Sequence, residues 1–334
     1  MNLRKLINVS GVLVAALSVL ACSMDSEANV SENSVGKVAV SLACWNTQTF
    51  FDAEMEGTEY EDYQNLAKWS KDKYLTRLGR LCEVMNEIDA DVFVLEEIEN
   101  VSVVQDIANQ FAGKSWKQKN NWRYACFSKE EGSAIGCAVF SRYEITGVKS
   151  HSLDLRNLGM VQPSMRPLME VTVNVDEKEL GIYVCHWKSK SGGAEETEVW
   201  RDWQESLCAC RLKQCSLENP NKFVVLCGDF NRNAMDFVFT DGNVKLRGVC
   251  GDENVSNPWL DESGKCLFDI GSYFYNGSWE YIDNVLCSKD VKASAFGPKA
   301  QTPWANENSI PVIYKLYSGE GYSDHLPLLC TLTF

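Results

Sequence analysis

Short apolar runs recur along the chain, and most of them end in polar residues. Val38, Val40, Leu42 and Cys44 alternate with smaller residues and run into Trp45-Asn46, which predicts a strand. Further strands are predicted at "DVFVLEEIEN", "AIGCAVFSR", "MEVTVNV", "LGIYVCHW" and "KFVVLCGDFN", with "WEYIDNVLCS" and "SDHLPLLCTLTF" as the last two. Three segments repeat at helical spacing instead: Tyr74, Leu78, Leu81, Met85 and Ile88; Val104, Ile107 and Phe111; Trp200, Trp203, Leu207 and Cys210. Buried strands interspersed with helices imply an α/β (α+β) protein whose sheets are covered by helices.

The N-terminus reads differently. Arg4 and Lys5 precede the apolar stretch "LINVSGVLVAALSVLA", and small residues lead to Cys22. This is the layout of a secretory signal, and Val19-Leu20-Ala21-Cys22 resembles a bacterial lipobox, in which the cysteine is acylated. An ordinary signal with a chance cysteine, or an uncleaved anchor helix, fits the same pattern less well, because several acyl chains anchor stably where a short helix does not. Polar, acidic "SMDSEANVSENS" has the composition of a tether. The expected organisation is a signal peptide over 1–21, a lipidated N-terminus and tether over 22–36, and one catalytic domain over 37–334. The protein is expected in the bacterial cell envelope as a lipid-anchored, extracytoplasmic monomer held to the membrane through Cys22, with secretion as the alternative.

The net charge of −14 argues against a protein that merely coats nucleic acid, but leaves room for a nuclease that works through metal ions. Fourteen cysteines in an exported protein suggest disulfides. Cys44, Cys137, Cys185, Cys227 and Cys287 sit inside strand-like runs, where a thiol acts as a small hydrophobe. Cys250 and Cys266 flank a polar loop and form the preferred disulfide pair. Cys208, Cys210 and Cys215 share a helix without a histidine, so a zinc site is not expected there.

Polar residues with chemical potential share one placement. Asn46, Glu97, His186, Asp229 with Asn231, Asp283, and Asp324 with His325 all stand near the ends of apolar strands, so they can converge on one rim. Asp229 and Asn231 face the same way on an extended chain, suited to positioning a water and holding a phosphoryl oxygen; a turn is the plainer reading of the same Gly-Asp-Phe-Asn. Glu97 suits a hard divalent cation. His186, Lys188 and Lys190 follow one another at strand period and would present a basic face to phosphate, or else form a solvated edge. His151 reads as a surface histidine. His325 needs an acid to fix its tautomer, and Asp283 is the best candidate; Asp324, pointing the other way, would join Glu97 at a metal.

"WNTQTFFD", "DVFVLEEIEN", "GCAVFSR", "HWKSK", "GDFNR", "YIDNVL" and "SDHLPL", in this order from Trp45 to Leu328, resemble the endonuclease/exonuclease/phosphatase superfamily of pancreatic-type deoxyribonucleases and apurinic endonucleases. The resemblance implies a four-layer sandwich: two mixed β-sheets packed face to face, with helices on the outer faces. It also implies Glu97 as principal ligand of Mg²⁺ (or Mn²⁺), with Asn46 and Asp324 beside it. His325, oriented by Asp283, would activate water; Asp229 and Asn231 would align it; His186 would stabilise the pentacovalent phosphorus or assist the leaving group. Within the superfamily either the histidine or the aspartate serves as base. Where the family has Gln-Glu this chain has Glu96-Glu97, which leaves open which acid meets the metal. Arg166 also matches a family position without an assigned role. A surface nuclease acting on DNA or RNA is the function implied; a sphingomyelinase-type phosphodiesterase or another phosphatase of the superfamily is the rival, and a non-catalytic adhesin a third reading. Tyr273, Phe274, Tyr275 and Trp279 would serve either as a membrane-facing rim or as a stacking surface for bases.

Overall fold

The computed structural model describes residues 37–65, 68–113 and 122–334, together with two short strands at Leu6–Val9 and Val12–Ala16. Cys22 and the tether lie outside the described residues, as does most of the expected signal peptide.

In chain order the main elements are β1 (Ala39–Phe50), α1 (Lys71–Ile88), β2 (Val92–Ile98), α2 (Val101–Gly113), β3 (Tyr124–Ser128), β4 (Gly136–Ser141), β5 (Glu144–His151), β6 (Leu168–Val175), β7 (Lys178–His186), α3 (Glu198–Glu218), β8 (Phe223–Asp229), β9 (Asp283–Cys287), β10 (Lys292–Pro298) and β11 (Leu328–Thr333). One sheet has the order β3-β4-β2-β1-β11-β10, extended at β3 by the antiparallel strands Val12–Ala16 and Leu6–Val9. The other has the order β9-β8-β7-β6-β5. Parallel pairing occurs once in each, between β1 and β2 and between β7 and β8. The sheets are therefore mixed, as the resemblance implies.

Alternation along the strands builds the layers. Val40, Leu42 and Cys44 of β1 and Val92 and Val94 of β2 share one core with Val171 of β6, Ile182 of β7 and Cys227 of β8. Ala43, Trp45, Phe93 and Leu95 form a second core with Leu78, Leu81 and Met85 of α1 and Val104 and Ile107 of α2. Helix α3 covers the far side of the second sheet, where Cys208, Ala209, Leu212 and Cys215 are buried. Helix α1 starts at an N-cap, Ser70, whose hydroxyl accepts the Lys73 N–H, and stops at Asp89 in the left-handed region. No helix among the described residues is long and apolar enough to cross a membrane.

Two expectations need correction. Cys250 pairs with Cys210, not Cys266; Cys210 lies on α3 beside the 248–251 turn, while Cys266 is a free thiol hydrogen-bonded to the Phe268 carbonyl. His151 is no bare surface residue: its Nε2 lies 2.9 Å from Glu170 Oε2, and its side chain is 18% exposed. Cys44, Cys137, Cys185, Cys227 and Cys287 are buried free thiols, filling space as small hydrophobes do.

Candidate active site

The two parallel pairs, one per sheet, deliver their strand ends to one rim. β7 and β8 finish together, with His186 opposite Asp229, while β9 begins at Asp283 on the other flank of Asp229. One row across the second sheet thus carries His186, Asp229 and Asp283. The residue before Asp229 has to be glycine: Gly228 has φ +124°, and a Cβ there would collide with the Cys185 carbonyl and stand 2.7 Å from Glu96 Oε1.

In the first sheet, β1 and β2 stay in register as far as Asn46 and Glu96, and then the register shifts. Glu97 takes φ +64° at this irregularity. Regular alternation would have sent Glu96 toward the second sheet and Glu97 back among Phe93 and Leu95 under the helices. The shift turns Glu97 into the cleft. Glu96 remains wholly buried beneath it, with no hydrogen-bond partner on either oxygen. Burial, with Cys44, Asp283 and Asp229 nearby, holds the Glu96 carboxyl well above the usual range. Of the two acids, Glu97 is therefore the one placed for a cation.

Glu97 is fixed from two sides. Its Oε1 accepts from Asn46 Nδ2 at 3.2 Å, and its Oε2 accepts the Thr49 N–H. Gln48 and Thr49 both have positive φ. That strained segment hangs on Arg77 of α1, whose buried guanidinium donates to the Thr47, Gln48 and Thr49 carbonyls and lies 3.7 Å over the Tyr314 ring. Sequence reading missed Arg77, since an arginine on a helix carries no mark of burial.

Asp283 Oδ2 and His325 Nδ1 are 2.7 Å apart. Trp45 Nε1 donates to the His325 carbonyl at 2.9 Å, and Trp259 Nε1 to that of Asp283 at 2.9 Å, so both backbones are pinned. Burial pulls the His325 imidazolium down, but Asp283, Asp324 and Asp229 outweigh it and hold its pKa well above the ordinary histidine value. Asp229 is pushed up to about 7 by burial and by Asp283. Its Oδ1 accepts the Asn231 N–H at 2.8 Å, and its Oδ2 accepts from Asn231 Nδ2 at 3.0 Å and Asn46 Nδ2 at 3.1 Å.

His186 lines the cleft, with its Nε2 3.6 Å from Glu97 Oε1 and a cation beside it. Arg166 Nη2 lies 2.7 Å from His186 Nε2 and also donates to the Trp187 carbonyl at 3.0 Å. Burial, then Arg166 and His325, push the His186 pKa well below the ordinary value. The positive charge beside the ring belongs to Arg166, a contact that the sequence does not mark.

The expected basic face is not formed. β7 ends at His186, so Lys188 and Lys190 lie on the following loop. Lys188 Nζ bonds Ser189 and is absent from the cleft wall, while Lys190 reaches the cleft but pairs with Glu280.

Asn46, Glu97, His186, Asp229, Asn231, Asp324 and His325 line a single cleft of about 460 Å³. A larger cavity, about 600 Å³, lies at the other end of the same strands around Glu179, Lys222 and Asp290, and holds none of them. Among the described residues no three acidic, histidine or cysteine side chains stand as a ready-made ligand set. Four carboxylates line this cleft, Glu97, Asp229, Glu280 and Asp324, of which Asp229 is held by Asn231 and Asn46 and Glu280 by Lys190. Asn46 turns its amide nitrogen toward Glu97 and uses its oxygen on the Gln48 N–H, so it enters as a donor to the acids.

A profile of the Endonuclease/Exonuclease/phosphatase family matches residues 41–303. No curated protein matches the sequence. Among solved structures, TDP2 from Caenorhabditis elegans matches with a TM-score of 0.56 at 15% identity, covering 89% of this chain and 75% of that one. The human Nocturnin catalytic domain with bound sulfate gives 0.54 at 16% identity, over 89% and 96%. D. rerio TDP2 complexed with a single-strand DNA product gives 0.53 at 16%, over 88% and 98%. At these identities the likeness is one of fold.

Proposed function

Because this chain belongs to the endonuclease/exonuclease/phosphatase family, whose members hydrolyse phosphoesters, we propose that it is a divalent-cation-dependent nuclease cleaving phosphodiesters of DNA or RNA. The observation that carries this reading is the Asp283–His325 pair at 2.7 Å, set in one cleft with Glu97, Asp229 and Asp324. The likeness to TDP2 complexed with single-strand DNA product favours a nucleic-acid substrate over the lipid alternative.

Glu97 and Asp324 would hold Mg²⁺ or Mn²⁺. When bound, the cation supplies Lewis-acid polarisation of the phosphoryl oxygen and offsets the surrounding acids. Asp283 keeps a proton on His325 Nδ1; Nε2 takes one from water only once the ring has lost its second proton, which the raised pKa places toward alkaline pH. Asp229, near 7, is the second group able to accept that proton, and Asn231 fixes both of its oxygens. Arg166 holds His186 in place and brings a fixed positive charge close to the cleft wall. Upstream, acylation of Cys22 would tie the domain to the cell envelope.

The test incubates the domain from Ser23 onward, and its His325→Ala variant, with plasmid DNA, RNA and sphingomyelin vesicles in Mg²⁺, Mn²⁺ or chelator. Loss of DNA or RNA that needs both the cation and His325 supports the reading and identifies the preferred nucleic acid. Phosphocholine release with nucleic acid intact replaces it with a lipid phosphodiesterase, and silence on all three rejects it.

A further inference from the structure

The cleft has one wall that the hydrolytic chemistry does not use. A two-stranded hairpin, Tyr273–Tyr275 and Ser278–Glu280, stands on its lip. Its turn is Asn276-Gly277, both with positive φ, the pairing that closes a tight hairpin. It is buttressed by the Phe274–Trp279 edge contact at 5.0 Å and by the Lys190–Glu280 ion pair, which ties it to the loop after β7.

Tyr273 and Tyr275 are two apart on one strand and so share a face. The Tyr273 ring packs against the His325 imidazole at 4.7 Å, and Tyr275 lies 6.1 Å further on, within 15° of parallel to Tyr273. The two rings make a ladder that leaves His325 and climbs out of the cleft. Tyr273 is half-buried, but Tyr275 is 54% exposed, an aromatic ring presented to solvent on the wall of a polar cleft.

We propose that this tyrosine ladder is a base-stacking subsite, in which Tyr275 takes the nucleobase next to the scissile phosphate. The inference rests on the nuclease reading above and deepens it. A flat, exposed ring parallel to its neighbour suits a planar base of any sequence, because every base has a π-face. Among the described residues that line the cleft, Lys190 is the only lysine or arginine, and it is committed to Glu280 rather than to base edges. The subsite therefore selects nucleotides over other phosphodiesters without selecting among bases, and it favours single strands, whose bases are free to unstack.

The test compares wild type, Tyr275→Ala and Tyr275→Trp on two single-stranded oligonucleotides: one with a single cleavable phosphodiester flanked by normal bases, the other carrying a tetrahydrofuran abasic residue on either side of it. Tyr275→Ala should lose about tenfold in kcat/KM on the normal oligonucleotide, the scale of one base–aromatic stack, and change less than about twofold on the abasic one. Tyr275→Trp should retain the wild-type preference. Equal loss on both oligonucleotides, or none on either, overturns the stacking subsite and leaves the nuclease intact. Failure of wild type to cleave any oligonucleotide overturns both. The thermal midpoint of Tyr275→Ala should equal that of wild type; a lowered one would show that the ring serves the fold.

Discussion

Two groups of buried acids lie on the two faces of the second sheet, and they are treated in opposite ways. On the α3 side the two buried acids, Glu170 and Glu205, both have cations. Glu170 contacts Arg211, Lys222 and His151; Glu205 contacts Arg232 and Arg247. On the cleft side Glu96, Glu97, Asp229, Asp283 and Asp324 converge, and among the described residues none pairs with lysine or arginine. Their contacts are with histidines instead: His325 on Asp283, and His186 at 3.6 Å from Glu97 and 3.9 Å from Asp229. Burying a carboxylate without a partner is costly, and a structure built only for stability pairs it or replaces it. The α3 face shows that this fold can neutralise buried acids completely. Leaving the cleft acids without lysine or arginine is what the proposed cation binding and proton transfer would require.

The contrast is broken most severely at His325. Replacement by alanine should cost 10²- to 10⁴-fold in turnover per folded molecule, the usual range for a positioned base. An unchanged rate would remove His325 from the chemistry.

Next in size is Glu170→Gln. Burial pushes the Glu170 carboxyl up, but His151, Lys222 and Arg211 outweigh it and hold it at about 2, against an ordinary 4.5. Removing the charge leaves Arg211 and Lys222 without it, a loss of roughly 3 kcal/mol in denaturant unfolding with turnover per folded molecule unchanged. The sign with pH follows from the depressed value. The Glu170 contribution is whole above about 4.5 and disappears as the pH falls through about 2, so wild type and Glu170→Gln should converge in stability over that window.

Smallest of all should be Glu96→Gln. Its carboxyl has no partner to lose and is held well above the usual range, so an isosteric amide should change stability by less than about 1 kcal/mol and leave turnover within a few-fold. A large effect on turnover would mean that Glu96 shares in the chemistry assigned to its neighbour.

The same contrast explains what the sequence made legible. Strand-end acids and histidines could be placed on a rim because apolar runs of strand length and the alternation within them locate the ends of strands. Asp283 could be matched to His325 because so few acids stand at such ends. Choosing between Glu96 and Glu97 depended on a register shift, which is a property of two strands and cannot be read along one. Arg166 and Arg77 went without roles for a related reason: each is defined by partners far away in the chain, His186 and the Thr47–Thr49 carbonyls. The lysine face failed because β7 stops at His186, where the period of two stops with it. Edge strands β5 and β10 were missed because their burial pattern is weak; a strand with solvent along one side needs few apolar residues. The Asn276-Gly277 hairpin, by contrast, carried a legible turn signal that was passed over.

The central claim is that the unmatched acids of the cleft hold a divalent cation through Glu97. Titrating Mn²⁺ into wild type, Glu97→Gln and Glu170→Gln by calorimetry tests it without relying on turnover. The account predicts one cation site in wild type, the same site in Glu170→Gln, and its weakening by tenfold or more in Glu97→Gln. Equal Mn²⁺ affinity in wild type and Glu97→Gln would contradict it.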